Sequence, residues 1–316
     1  MEIPDLDAVR RAARHIAPHA HRTPVLTSSA IDAELGARLF FKCENLQKVG
    51  AFKFRGACNA VLSLSDAQAA HGVVTHSSGN HAQALALAAR IRGIPASIVM
   101  PANAPPVKAA AVAGYGGRII RCRPTQQDRE RVAGEVMAAT GAALIHPYDD
   151  PRVIAGQGTA ALELVDQVEQ LDLVLVPVGG GGLARGTLIT ISALSPHTRV
   201  IGVEPEGADD ARSSLEAGRV LPSVDPRTIA DGLLTSLCDL TFDIIRRQIR
   251  AIVSASDEAT IRAMRLVWQR MKLVVEPSAA VPLGALLQGR VPDLAPGLRV
   301  GVILSEGNVE LDHLPW

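Results

Sequence analysis

Short runs rich in β-branched residues alternate with Ala- and Leu-rich amphipathic stretches along almost the whole chain, the pattern of a parallel sheet covered by crossover helices. The runs predict strands at 39–42, 72–76, 96–100, 118–122, 143–146, 173–177, 200–204, 251–254 and 300–304. Helices fill most gaps: 81–92 places Ala84, Leu87 and Ala88 on one face, and Asp257 reads as the N-cap of a helical run through Arg262, Leu266 and Met271. One sheet can hardly hold every strand. The expectation is therefore an α/β chain of two units, a small one at 67–147 inserted into a large one made of 1–66 and 148–316.

Composition narrows the partners. The 316 residues balance 32 Lys and Arg against 32 Asp and Glu, so no basic field points to a polyanion, and 3% aromatic content leaves few platforms for stacking bases. A nucleic-acid partner is not expected. The first residues are charged from Glu2 onward without an apolar core, and no stretch is long and apolar enough to span a bilayer, so no membrane partner is expected and the protein reads as cytoplasmic. Cys43, Cys58, Cys122 and Cys238 are scattered without zinc or disulfide spacing and read as buried small apolar residues. Lysine is scarce: only Lys42, Lys48, Lys53, Lys108 and Lys272 offer an amine.

After the strand 173–177 comes Gly179-Gly180-Gly181-Gly182, then an apolar helical pattern. Without β-carbons a backbone can approach an anion closely, and the amides at a helix start point at it, so the run reads as a phosphate cradle. Gly179, Gly181 and Ala184 also satisfy a loose dinucleotide fingerprint, and Glu204 ends the next strand where a ribose-binding acid would sit. A nicotinamide-dependent dehydrogenase is thus an alternative, although it leaves the next motifs without a role.

Those motifs are Gly50-Ala-Phe-Lys53-Phe-Arg-Gly56, with a lysine between two phenylalanines at a helix start, and Ser77-Ser78-Gly79-Asn80-His81, which leaves one strand and opens a helix. Burial disfavours an ammonium and gives a neutral amine able to condense with an aldehyde; a lysine beside an arginine is, taken alone, more often a solvated surface residue, and the neighbouring motifs shift that reading. Two hydroxyls, an amide and helix-start N–H groups suit a carboxylate and a ring oxygen. Leu304-Ser305-Glu306-Gly307-Asn308 forms a third polar loop at a strand end.

Taken in order, GAFKFRGA, HSSGNHAQA, PVGGGGL, EPEGADDA, IADG, EPSAA and LSEGNVEL resemble the serine racemase and serine/threonine dehydratase group of pyridoxal-phosphate enzymes, of the tryptophan-synthase-β-like fold. The resemblance implies that Lys53 carries the Schiff base of pyridoxal 5'-phosphate, Gly179 to Gly182 hold its phosphate, Asn80 contacts the ring hydroxyl and Ser305 meets the pyridine nitrogen. It makes Ser77, Ser78, Gly79 and His81 the substrate-carboxylate loop, and Ser78 the acid/base opposite Lys53 that racemisation needs. A neutral hydroxyl at Ser305 does not hold the ring nitrogen protonated, which weakens the electron sink and favours expulsion of a β-substituent. The expected reaction is elimination from a β-hydroxy amino acid such as serine, threonine or 3-hydroxyaspartate to a keto acid and ammonia, with racemisation permitted. A catalytically silent ligand-binding protein of the same fold is a further alternative.

Ala51, Ala82, Ala280 and Glu306 depart from the commoner pattern, and Glu306 matters most: a carboxylate beside the pyridine pocket either alters cofactor electrostatics or substrate charge preference, or points to solvent. Arg129 is a candidate reader of a substrate side-chain carboxylate, against the plain reading of a solvated helix arginine. The acid-rich Glu204-Pro-Glu206-Gly-Ala208-Asp209-Asp210 suits a hard cation. By the resemblance Glu204, the Ala208 carbonyl and Asp210 bind a divalent cation (Mg, Mn or Ca) in a structural or activating role. The resemblance also implies a homodimer. Trp316 follows the last motif closely, so feedback control through a C-terminal regulatory domain is not expected.

Overall fold

The computed structural model describes residues 3–77, 79–104 and 106–316. Its strands are β1 (Val25–Leu26), β2 (Arg38–Cys43), β3 (Val73–His76), β4 (Ala96–Pro101), β5 (Arg118–Cys122), β6 (Ala143–Leu144), β7 (Leu173–Pro177), β8 (Arg199–Pro205), β9 (Ala251–Ala255) and β10 (Arg299–Leu304). They part into a six-stranded sheet of order β1-β2-β10-β7-β8-β9 and a four-stranded sheet of order β5-β4-β3-β6. Every pairing is parallel except that of β1 with β2. All five residues of β7 and all four of β3 are buried, and β7 accordingly reads as an unbroken apolar run rather than an alternating one, whereas β3 buries Thr75 and His76 at its carboxyl end.

Each predicted strand is present; the 72–76 run begins one residue later and the 143–146 run keeps only two residues. β6 ends at Leu144, because the Nδ1 of His146 accepts the main-chain N–H groups of Tyr148 and Asp149 and turns the chain out of the sheet. The two-residue β1 is too short to show in the pattern. The N-cap near 257 is Ser256, whose hydroxyl accepts the Ala259 N–H, while the Asp257 carboxylate accepts from Thr228 Oγ1 and Ile229 N. The helix Asp257–Leu266 then loosens into a π-turn at Val267–Met271.

The helices that carry the site pack unusually close. A Cβ at Gly156, in helix Pro151–Gln167, would meet the Arg55 carbonyl and the Gly56 Cα, both at 2.6 Å, so this helix and helix Lys53–Leu62 touch backbone to backbone. Because β2, β10, β7 and β8 are parallel neighbours, their carboxyl ends lie along one edge, and the segments after β10 and β7, starting at Ser305 and Gly179, leave side by side.

Candidate active site

Lys53 is the first residue of helix Lys53–Leu62, as expected. Main-chain hydrogen bonds tie the segment before it to the loop after β10: Phe52 N donates to Ser305 O at 3.0 Å, Gly307 N to Gly50 O at 2.9 Å, and Ala51 bridges Glu306. The amine lies 5.0 Å from the Phe52 ring centroid and 3.4 Å from the Pro147 carbonyl. Burial lowers the pKa of Lys53, while the carboxylates of Glu306 and Glu276 pull it back up.

The anchor beneath Lys53 was not foreseen. Arg55 is fully buried, not solvated: it donates to Glu44 (Nε–Oε2 2.6 Å, Nη2–Oε1 2.8 Å) and to Glu163 (Nη1–Oε1 2.7 Å, Nη2–Oε2 2.8 Å). Lys42, also fully buried, completes the set through Glu163 Oε2 at 2.6 Å, the Thr23 carbonyl and Gln167. Two cations and two carboxylates thus cancel in the interior, and desolvation of Arg55 is outweighed by Glu44 and Glu163, which raise its pKa.

Around the amine, one pocket is lined by Phe52, Lys53, Tyr148, Pro177, Gly179 to Gly182, Leu183, Gly232, Leu233, Thr235, Ser305 and Glu306. The Ser305 hydroxyl, 1% exposed, has no hydrogen-bond partner among the described residues. The glycine run opens helix Gly182–Leu194, with Gly181 as its N-cap at φ +82°. Packing demands part of the run: a Cβ at Gly180 would run into the Tyr148 ring, and one at Gly181 would meet Leu237 Cδ2 at 2.6 Å. Closeness of backbone to an anion and closeness to neighbouring side chains therefore select the same residues.

Asn80 begins helix Asn80–Arg92. Its amide nitrogen donates to Glu276 (Oε1 3.1 Å, Oε2 3.3 Å) and to Glu306, and its oxygen accepts from Asn308 Nδ2 at 2.8 Å. Glu306 is 3% exposed and faces inward. Ser77 lies at the end of β3, its hydroxyl 3.4 Å from the Gly79 N–H, and Ser78 lies outside the described residues. The His81 imidazole is 2% exposed, Nε2 donates to the Ile145 carbonyl at 3.2 Å, and Nδ1 has no partner among the described residues. Burial drives its pKa down to about 3, so the ring is neutral.

Arg129, on helix Gln126–Thr140, has a buried Nε without a partner among the described residues and sits close enough to His76 to help lower its pKa, after burial. His76, His146 and Tyr148 form an edge-to-face chain, with centroids 5.3 and 4.7 Å apart, between that arginine and the glycine loop. His146 and Tyr148 are both neutral: burial takes the first down to about 4 and the second up to about 12.

After β8, Glu204 accepts the Ala211 and Arg212 N–H groups at 2.9 and 2.8 Å and so caps helix Asp210–Ala217. Both oxygens of the buried Asp210 lack a partner among the described residues. Burial raises the pKa of Glu204 to about 8 and of Asp210 to about 6. No group of three or more His, Cys, Asp or Glu side chains is gathered for a metal among the described residues. The four cysteines are free, three of them buried.

An aldehyde-bearing phosphate ester fits this pocket, with an amine, a glycine cradle and an unpartnered hydroxyl converging on it. The family model "Pyridoxal-phosphate dependent enzyme" matches residues 16–306, and the chain belongs to that family. It is 52% identical to the β-hydroxyaspartate dehydratase of Paracoccus denitrificans over the full length of both chains. It is 47% identical to the L-threo-3-hydroxyaspartate ammonia-lyase of Saccharomyces cerevisiae, covering 98% of this chain and 95% of the other. The crystal structure of serine racemase from Dictyostelium discoideum superposes with a TM-score of 0.94 at 46% identity, covering 98% of this chain and 100% of that one. The expected fold and the pyridoxal-phosphate chemistry stand; the nicotinamide reading of the glycine loop falls with them.

Proposed function

We propose that the protein eliminates water from a β-hydroxy amino acid, 3-hydroxyaspartate foremost, and that the enamine released takes up water to give a keto acid and ammonia. The observation that carries the reading is the convergence of Lys53, Gly179 to Gly182 and the unpartnered Ser305 hydroxyl on one pocket. The cofactor supplies an aldehyde and an electron-withdrawing ring. The glycine-loop amides and the helix start behind them hold its phosphate, and the Ser305 hydroxyl holds the pyridine nitrogen without protonating it. Lys53 Nζ, depressed toward neutrality by burial, attaches the cofactor and takes the α-proton. The main chain at Ser77 and Gly79 binds the α-carboxylate, and the free Nε of Arg129 reads the distal carboxylate. Ser78 is assigned the opposite-face proton that racemisation requires. In this reading residues 67–147 act as a small unit against 1–66 and 148–316, in a cytoplasmic homodimer.

The identity to two 3-hydroxyaspartate enzymes supports that substrate. D- and L-serine, L-threonine and the 3-hydroxyaspartate diastereomers, assayed for pyruvate, 2-oxobutyrate, oxaloacetate and the opposite enantiomer, test it. The expected result is the highest kcat/KM for one 3-hydroxyaspartate isomer, releasing oxaloacetate, and a selective loss for that substrate in Arg129→Ala. Equal losses on serine and hydroxyaspartate would remove Arg129 from the assignment.

Glu204, the Ala208 carbonyl and Asp210 are proposed as the ligands of a magnesium, manganese or calcium ion; the unpartnered, buried carboxylate of Asp210 supports the site. Added magnesium is expected to raise the thermal midpoint of the chelator-treated protein, by about 2.7 kcal/mol of stability at 100 times Kd, and Asp210→Asn to abolish the gain. An equal gain in the variant would contradict the site.

A further inference from the structure

Glu276 and Glu306 are each 3% exposed, and neither forms an ion pair among the described residues. What they have is neutral: Asn80 Nδ2 donates to both, Asn308 N donates to Glu276 Oε2 at 3.1 Å, and Glu276 N donates to the Glu306 carbonyl at 3.2 Å. The orientation of the Asn80 amide is fixed by Asn308, whose Nδ2 donates to Asn80 Oδ1, so nitrogen and not oxygen faces the carboxyls. The charged groups facing the pair are Lys53 from its helix, Lys108 from helix Pro106–Gly114 and Asp231 from the turn Asp231–Leu233. Lys108 and Asp231 pair with each other, which leaves the Lys53 nitrogen, whenever it carries a positive charge, as the group toward which the two acids act.

Two carboxylates joined through one amide in a buried wall repel each other and lose hydration together, and sites of this kind ionise in two well-separated steps. Burial and the neighbouring Glu306 both hold Glu276 well above the usual carboxylate range. We propose that Glu276 and Glu306 share a single proton in the resting site, so that the pocket wall beside Lys53 carries one negative charge instead of two. Glu306, the residue by which this chain departs from the glycine common in the family it resembles, thereby creates an acid inside the pocket. The shared proton lets the wall stabilise a cationic nitrogen at Lys53 without the second charge that would bind it too firmly to give up its proton. Glu306 is in this sense a positioning residue for a proton.

The charge count makes the test. With either carboxyl replaced by an amide, the like-charge repulsion that favours a shared proton is gone, so the proposal requires the wall to carry one charge in each single variant and none in the double. In the cofactor-loaded protein at neutral pH, difference infrared spectra are expected to show one protonated carboxyl band that disappears in Glu306→Gln and equally in Glu276→Gln. Glu306→Gly, free of any new amide, is expected to lose the same band. The pH midpoint of the cofactor's visible absorbance is expected to fall in Glu276→Gln/Glu306→Gln by on the order of one pH unit or more, and by more than the sum of the two single shifts. Additive shifts, or a band that survives in Glu306→Gln, would overturn the shared proton. The absorbance arm rests on Lys53 as the attachment point: a colourless parent protein would overturn that assignment, while the infrared arm still decides the pair.

Discussion

Lys53→Ala is expected to abolish the visible absorbance of the purified protein and to lower kcat by at least the roughly 10²–10⁴-fold that a positioned general base contributes. The loss has two parts. The amine attaches the cofactor, and the same nitrogen, its pKa lowered by burial, accepts the substrate's α-proton. Added methylamine restores an amine without restoring its position, so spectral recovery with little turnover would separate the two roles. Full activity in Lys53→Ala would remove the residue from the chemistry.

The largest expected loss of stability lies one turn away, in the buried set of Arg55, Lys42, Glu44 and Glu163. Glu44 is fully buried, and its two oxygens accept Arg55 and the Thr23 hydroxyl. Glu44→Gln leaves an excess positive charge in the interior, which costs about 3–5 kcal/mol when a buried pair is broken from one side. Denaturant unfolding of the cofactor-loaded protein measures it; a change under about 1 kcal/mol would mean that water or a rearranged Glu163 takes over the charge. Because Arg55 lies two residues after Lys53 on the same helix, the spectrum of a folded Glu44→Gln protein is expected to show weaker cofactor retention as well.

Much of this architecture was legible in the sequence, for a physical reason. Strands buried on both faces, such as Leu173–Pro177, must be apolar at every position, and each is followed by a polar, glycine-containing loop where the site forms. The surroundings of those strands were less legible. Nothing local in the sequence marks Arg55 as buried and paired, because its partners Glu44 and Glu163 are 11 and 108 residues away. The burial of the His81 ring against the Ile145 carbonyl, one residue into the helix that begins at Asn80, had no signal in the sequence either.

Tyr148, Gly232, Thr235 and Glu276 were missed as pocket or network residues. Gly232 and Glu276 belong to the motifs IADG and EPSAA, in which nothing local states a contact, and Tyr148 and Thr235 lie in no motif at all. The orientation of Glu306, left open between solvent and pocket, was decided by an amide of Asn80, 226 positions earlier in the chain. Long-range partners of this kind are set by which strand ends lie side by side, and periodicity carries no record of that order.

Reduction of the holoprotein with borohydride, followed by proteolysis and mass mapping, tests the central claim most directly. With only five lysines in the chain, the label is expected on Lys53 alone. A label on Lys42, Lys48, Lys108 or Lys272, or on none of the five, would contradict it.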